Sequence, residues 1–244
     1  AEIGVFSLGT DGRGADNFDI KRFGADYAYT LDGGGIGELE YENFNAAAAT
    51  VTVRGRSVHP GTAKDTMINS IMVAGAFDSL LPQYERPEHT AGYEGFFHLY
   101  DIRGSVEETV LKYIVRDHDP VIFARRKKIL EEAAETILKR YHGAEVNINM
   151  RDQYFNMKEI IEANYYIIEA AVEAYRKAGI EPVIKPVRGG TDGARLSFMG
   201  LPCPNLFTGG HNYHGRFEFI PLQSMEKAVE VIINLVTSAN ESIK

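Results

Sequence analysis

The sequence predicts an α/β protein with a ferredoxin-like α+β sandwich inserted into it. Three observations carry the prediction. Between residues 46 and 152 the strand- and helix-type patterns follow in the order β-α-β-β-α-β, the split βαβ arrangement. The flanking segments, 1–45 and 153–244, supply short strands, Gly-rich loops and two long helical patterns that read as pieces of one α/β layer. The 244 residues, 44% of them hydrophobic, also suffice for two separate cores.

The elements follow in order. "IGVF" and "YAYTLDGG" read as strands, with "NFDIKRFGA" as a short helix or turn between them. "ELEYENFN" alternates as a half-buried strand does. "AATVTVRGR" is rich in β-branched residues and opens the inserted domain. "TAKDTMINSIMVAGAFDSLLP" reads as a helix of about five turns, with Met67, Ile68, Ile71 and Met72 on one side and Pro82 as its stop. "EGFFHLYDIRG" and "TVLKYIVRD" are strands. The helix "DPVIFARRKKILEEAAETILKRYHG" has Asp119 as N-cap, Pro120 at its first position and Gly143 just past its end. The strand "AEVNINMRDQ" closes the insert. Beyond it come the helix "MKEIIEANYYIIEAAVEAYRKAG", the strand "EPVIKPV", a Gly-rich loop and the helix "SMEKAVEVIINLVTSAN".

Composition narrows the function. A formal net charge of −8 argues against a sequence-independent hold on nucleic-acid phosphates. No run approaches the roughly 18 apolar residues that cross a bilayer, so no membrane role is expected. The start shows no secretory signal, and Cys203, the single cysteine, can form no internal disulfide. A reducing cytoplasm is the expected location.

Five stretches could carry chemistry. In "YTLDGGG", Asp32 follows a strand and precedes three glycines; this is an Asp-Gly turn or a carboxylate at a strand end where backbone can approach a ligand. "HNYHGRFEF" offers His211 and His214 as imidazole ligands for a cation such as zinc, with Glu218 able to orient one of them, or else it is a solvated loop. In "RGGTDGARLSFMG", Arg188 beside Gly189, Gly190 and Thr191 could grip a carboxylate; the alternative is a strand-to-helix turn capped by Asp192. "VRGRSVHPGTAKDTMIN" places His59 next to a stiff Pro-Gly pair, with Asn69 further on. "KYIVRDHD" places Arg116 near a strand end, among charges that could simply be solvated.

Taken together, "FGADYAYTLDGG", "VHPGTAK", "GYEGFFHLYDIRG", "RGGTDGARLSFMGLPCPNLFTGG" and "NYHGRFEF" resemble the peptidase T family of dizinc tripeptide aminopeptidases, over about Ile3 to Asn240. The resemblance implies a zinc-exopeptidase-like catalytic domain, 1–45 and 153–244, interrupted by a lid of residues 46–152 that mediates homodimerisation. It implies two zinc ions per complete site and a tripeptide substrate losing its N-terminal residue. Asp32 and His214 match zinc ligands, whereas His211 falls where the family varies. His59 matches the lid histidine that polarises the scissile carbonyl. Asn69, Arg116 and Arg188 match substrate-holding residues, the arginines taking the C-terminal carboxylate.

The chain also departs from the family pattern. The family carries an N-terminal third with a His-x-Asp ligand motif and a bridging Asp, and no such stretch precedes Asp32 here. Where the family reads Asp-Glu-Glu-Ile before Gly-Arg-Gly, this sequence reads Leu8-Gly9-Thr10-Asp11, so the general base is absent and a metal ligand is replaced. The expectation is an incomplete metal site that holds zinc poorly and gives no tripeptidase activity by itself. The competing expectation is a non-catalytic peptide-binding or dimerisation fragment of such an enzyme.

Overall fold

The structure is a computed structural model that describes residues 14–241. The strand expected at "IGVF" and the Gly9-Thr10 substitution lie outside these residues. The described residues form two compact units. One takes the chain up to Asn43 and from Asn156 onward, and the other is Phe44–Phe155.

In chain order the strands are β1 (Thr30–Gly33), β2 (Glu38–Glu40), β3 (Asn45–Arg54), β4 (Phe96–Gly104), β5 (Glu108–Asp117), β6 (Glu145–Tyr154), β7 (Val183–Ile184) and β8 (Asn205–Phe207). The α-helices are α1 (Ile20–Phe23), α2 (Ser70–Ser79), α3 (Pro120–Arg140), α4 (Lys158–Glu162), α5 (Tyr166–Lys177), α6 (Asp192–Phe198) and α7 (Leu222–Glu241).

The Phe44–Phe155 unit is an antiparallel sheet of order β4-β5-β3-β6, with α2 and α3 packed on it. This is the ferredoxin-like order that the β-α-β-β-α-β pattern implies. Period-2 alternation builds its core. Val51 and Val53 of β3 and Leu111, Tyr113 and Val115 of β5 are buried against Phe77 of α2 and Leu130 and Ile137 of α3. Helix α3 starts as its sequence says: the Asp119 carboxylate accepts from Val121 and Ile122 N–H at 2.7 and 2.9 Å. Helix α2 is shorter than expected and turned differently. It starts only at Ser70, because Ile68 pairs its backbone with Arg56 and the Asn69 side chain caps the first turn. Its buried face is Ser70, Val73, Ala74 and Phe77, while Ile71 and Met72 face solvent.

The other unit is a mixed sheet of order β1-β8-β2-β7. Strand β8 runs parallel to β1 and antiparallel to β2, and β7 is parallel to β2. Its core gathers Leu39, Leu206 and Phe207 from the sheet with Ile167, Ala171 and Tyr175 of α5 and Ala228 and Val231 of α7. The fully buried Tyr175 ties the layers together: its hydroxyl donates to the Glu38 carbonyl at 2.8 Å and accepts from Phe207 N–H at 3.1 Å. The expected single helix from Met157 to Gly179 is two helices, α4 and α5. The Asn164 side chain bonds back to the Ile160 carbonyl at 2.9 Å at the break, a competition that Asn offers and Ala does not. Among the described residues no helix is long and apolar enough to cross a membrane.

Candidate functional site

The parallel pair β1 and β8 ends at Asp32-Gly33, and the Gly-rich turn that follows leads into β2. Helix α6 begins beside this strand end. Its N-cap is Thr191, whose hydroxyl accepts from Ala194 N–H at 3.0 Å, and not Asp192 as the sequence suggested. Asp192 is instead the first helical residue, and its backbone N–H donates to the Asp32 carboxylate. Asp32 is thus held at a helix N-terminus, where the unsatisfied N–H groups favour an anion.

The Asp32 carboxyl nevertheless has a raised pKa. Loss of solvent among its neighbours is the main cause, and the negative charge of Asp192 adds to it. The hydrogen bond from Asp192 N–H and the charge of His214 act in the opposite direction. Asp32, Asp192 and His214 therefore share one electrostatic neighbourhood, although 182 positions separate Asp32 from His214 in sequence.

His214 is exposed and has φ of 60°, a left-handed conformation that non-glycine residues rarely adopt. Glu218 holds it there by accepting from His214 N–H at 2.9 Å. Glu218 therefore orients the histidine through its backbone. His211 does not join the group; its ring stacks on Phe219 at 5.1 Å and its backbone pairs with the same residue. Arg188 is half-buried and opens the Gly189-Gly190-Thr191 loop into α6, just after Val187 bridges to Asn43.

His59, Asn69 and Arg116 belong to the other unit. His59 is exposed at the start of a short 3-10 helix, Pro60–Thr62. Its Nδ1 accepts from Gly61 N–H at 3.1 Å, so in the neutral ring the proton sits on Nε2, which is left to donate outward. Asn69 spends its side-chain oxygen as the α2 N-cap, accepting from Ile71 N–H at 3.0 Å. Arg116, on β5, lies with its guanidinium 5.8 Å from the Phe96 ring and 5.9 Å from the Tyr154 ring.

A dimetal centre needs a bridging carboxylate, ligands on both sides of it and a general base. Asp32 and His214 supply two donors, and among the described residues no group of three or more His, Cys, Asp or Glu could hold an ion. The described donor set does not fit a dimetal centre. The backbone N–H of Asp192 went unforeseen because a helix-start donor leaves no side-chain signature in the sequence.

Known proteins share this organisation. Residues 41–145 match the model of the peptidase dimerisation domain. The chain is 60% identical to peptidase T of Clostridium perfringens and 56% identical to that of Caldanaerobacter subterraneus, over 92% of its own length in each case. It spans about half of those relatives, 55% of each. Among solved structures, the aminopeptidase PepT of Bacillus cereus shares the fold, with a TM-score of 0.79 at 22% identity, covering 92% of this chain and 60% of that one. A dinuclear metal binding peptidase of the M20 family from Bacillus subtilis does so at a TM-score of 0.60 and 15% identity, covering 87% of this chain and 56% of that one. On its sequence, then, this chain is similar to part of peptidase T, along 92% of its own length.

Proposed function

We propose that this chain forms part of a zinc-dependent aminopeptidase that releases the N-terminal residue of tripeptides. The observation that carries the reading is the meeting of Asp32, His214 and the α6 N-terminus in one neighbourhood. The unit with β1, β2, β7 and β8 is read as catalytic, and Phe44–Phe155 as the lid through which two copies pair. The match of the latter to a peptidase dimerisation domain supports that division. Each residue has a role its chemistry allows. Arg188 and Arg116 grip the substrate's terminal carboxylate, since a guanidinium fork matches that group. Asn69 helps hold the peptide. The Nε2–H of His59 donates to the scissile carbonyl and polarises it. Zinc is the cofactor implied, and a dinuclear peptidase among the fold relatives supports a two-metal site in the complete enzyme. A cytoplasmic location goes with this reading.

The shortage of donors among the described residues favours a second reading: a peptide-binding or dimerisation module that does not hydrolyse. The test measures tripeptide hydrolysis in the presence of zinc. One sample is this chain alone; the other is the chain refolded with the part of Clostridium perfringens peptidase T outside the match. Turnover only in the mixture supports the aminopeptidase reading. A stable complex without turnover supports the module. Turnover by the chain alone, with zinc retained through dialysis, would refute the incomplete site. Arg188→Ala in the active mixture is expected to weaken use of a tripeptide far more than use of its amide-capped analogue. Equal losses would remove the carboxylate grip.

A further inference from the structure

Glu40 is a buried acid with no part in the residue roles above. It lies in β2, only 6% exposed, opposite Asn205 of β8. The fully buried Asn205 donates from Nδ2 to Glu40 Oε2 at 3.4 Å, and its Oδ1 accepts from the Thr30 hydroxyl at 2.7 Å. Gly34 N–H donates to the same Glu40 carboxylate. A polar row, Thr30–Asn205–Glu40, thus crosses β1, β8 and β2, and it is tied to the chain two residues before Asp32 and two residues after it.

Helix α6 rests on the same row. A Cβ on Gly193 would lie 2.6 Å from Asn205 Oδ1 and 2.9 Å from Thr30 Oγ1, so only glycine allows this approach. Gly193 follows Asp192, whose N–H holds the Asp32 carboxylate. The row therefore supports both the strand that carries Asp32 and the helix start that meets it.

We propose that Glu40 is the positioning residue of the Asp32 strand end, fixing the backbone on both sides of Asp32 through Gly34 N–H and the Asn205–Thr30 pair. The inference deepens the reading of Asp32 as a site residue and rests on that reading for its functional meaning. The surroundings make the tie sensitive to pH. Burial pushes the Glu40 carboxyl up to about 7, and the charge of Glu38 on β2 adds to this. The bonds from Asn205 and Gly34 and the charge of Lys185, just past β7, oppose it. Among the described residues, the Tyr175 hydroxyl on α5 also lies within reach of the Glu40 charge. Ionising a carboxyl in this buried setting costs free energy, so the tie loosens as pH rises through this range.

The test is amide hydrogen exchange on the whole chain, without substrate or metal, corrected for the intrinsic pH dependence of exchange. Its outcome is therefore independent of whether the chain is a peptidase. In the parent, protection of Gly34 N–H is expected to fall between pH 6 and 8, and in Glu40→Gln it should stay flat. Glu40→Ala is expected to speed exchange across residues 32–34 by about tenfold, the scale of one lost buried hydrogen bond, with β3 and β5 unchanged. Glu40→Gln, which keeps an acceptor, should recover most of that loss. Unchanged protection at residues 32–34 in Glu40→Ala would overturn the proposal, as would loosening of the whole unit that Gln fails to recover. Should the Ala variant not fold, a pH dependence at Gly34 that persists in Glu40→Gln overturns it alone.

Discussion

Glu40 gives the clearest stability prediction at the residue scale. Its folded pKa, about 7, lies above the ordinary carboxyl value, so the folded state binds more protons than the unfolded one between the two. Its contribution to stability is full below the unfolded pKa and is lost as pH rises through about 7. Glu40→Gln should lose less stability between pH 5 and pH 8 than the parent, by about 2 kcal/mol, in denaturant titrations at the two pH values. Asp117 is the counterpart in the other unit. It is buried, accepts from Arg126 Nε at 2.7 Å and also from Asp119 N–H at 2.9 Å. Asp117→Ala is expected to cost about 3 kcal/mol in chemical unfolding, because it strips a buried guanidinium of one partner.

Asn69 tests an element. Its side chain caps α2 in this structure, so Asn69→Ala should lower the stability of the Phe44–Phe155 unit by about 1 kcal/mol. A loss near zero would show that the helix does not begin where the structure puts it. Legibility also divides at this scale. Helix α3 could be read to its first residue, because Asp119, Pro120 and the long amphipathic run all agree. Strand β8 could not: Asn205–Phe207 is three residues long, too short for alternation to show. The break between α4 and α5 turns on one Asn side chain, which periodicity does not register. The site divides in the same way. Asp32 and His214 could be named as candidates from the motifs around them. The helix-start N–H beneath Asp32 and the Glu40 row were not, since both depend on strands far apart in sequence lying side by side.

For the whole molecule, the exposed surface matters most. Helix α7 buries Ala228 and Val231, yet Leu222, Met225, Val229 and Ile233 are exposed on it. At spacings of three and four residues they form a second apolar stripe. Val229→Glu with Ile233→Lys is therefore expected to leave the unfolding midpoint unchanged in thermal denaturation, because neither side chain is buried in the core. A lowered midpoint would show that the stripe is packed against other parts of the chain. His214 lies near enough for its charge to act on Asp32, and Glu218 holds the His214 backbone in place.

That proximity is most directly tested by following the Asp32 carboxyl through a pH titration by NMR, in the parent and in His214→Ala. The charge of His214 holds the Asp32 pKa down, so removing the ring should move the Asp32 midpoint upward. An identical midpoint in both proteins would mean that the two side chains do not meet, and the site proposed on them would fall.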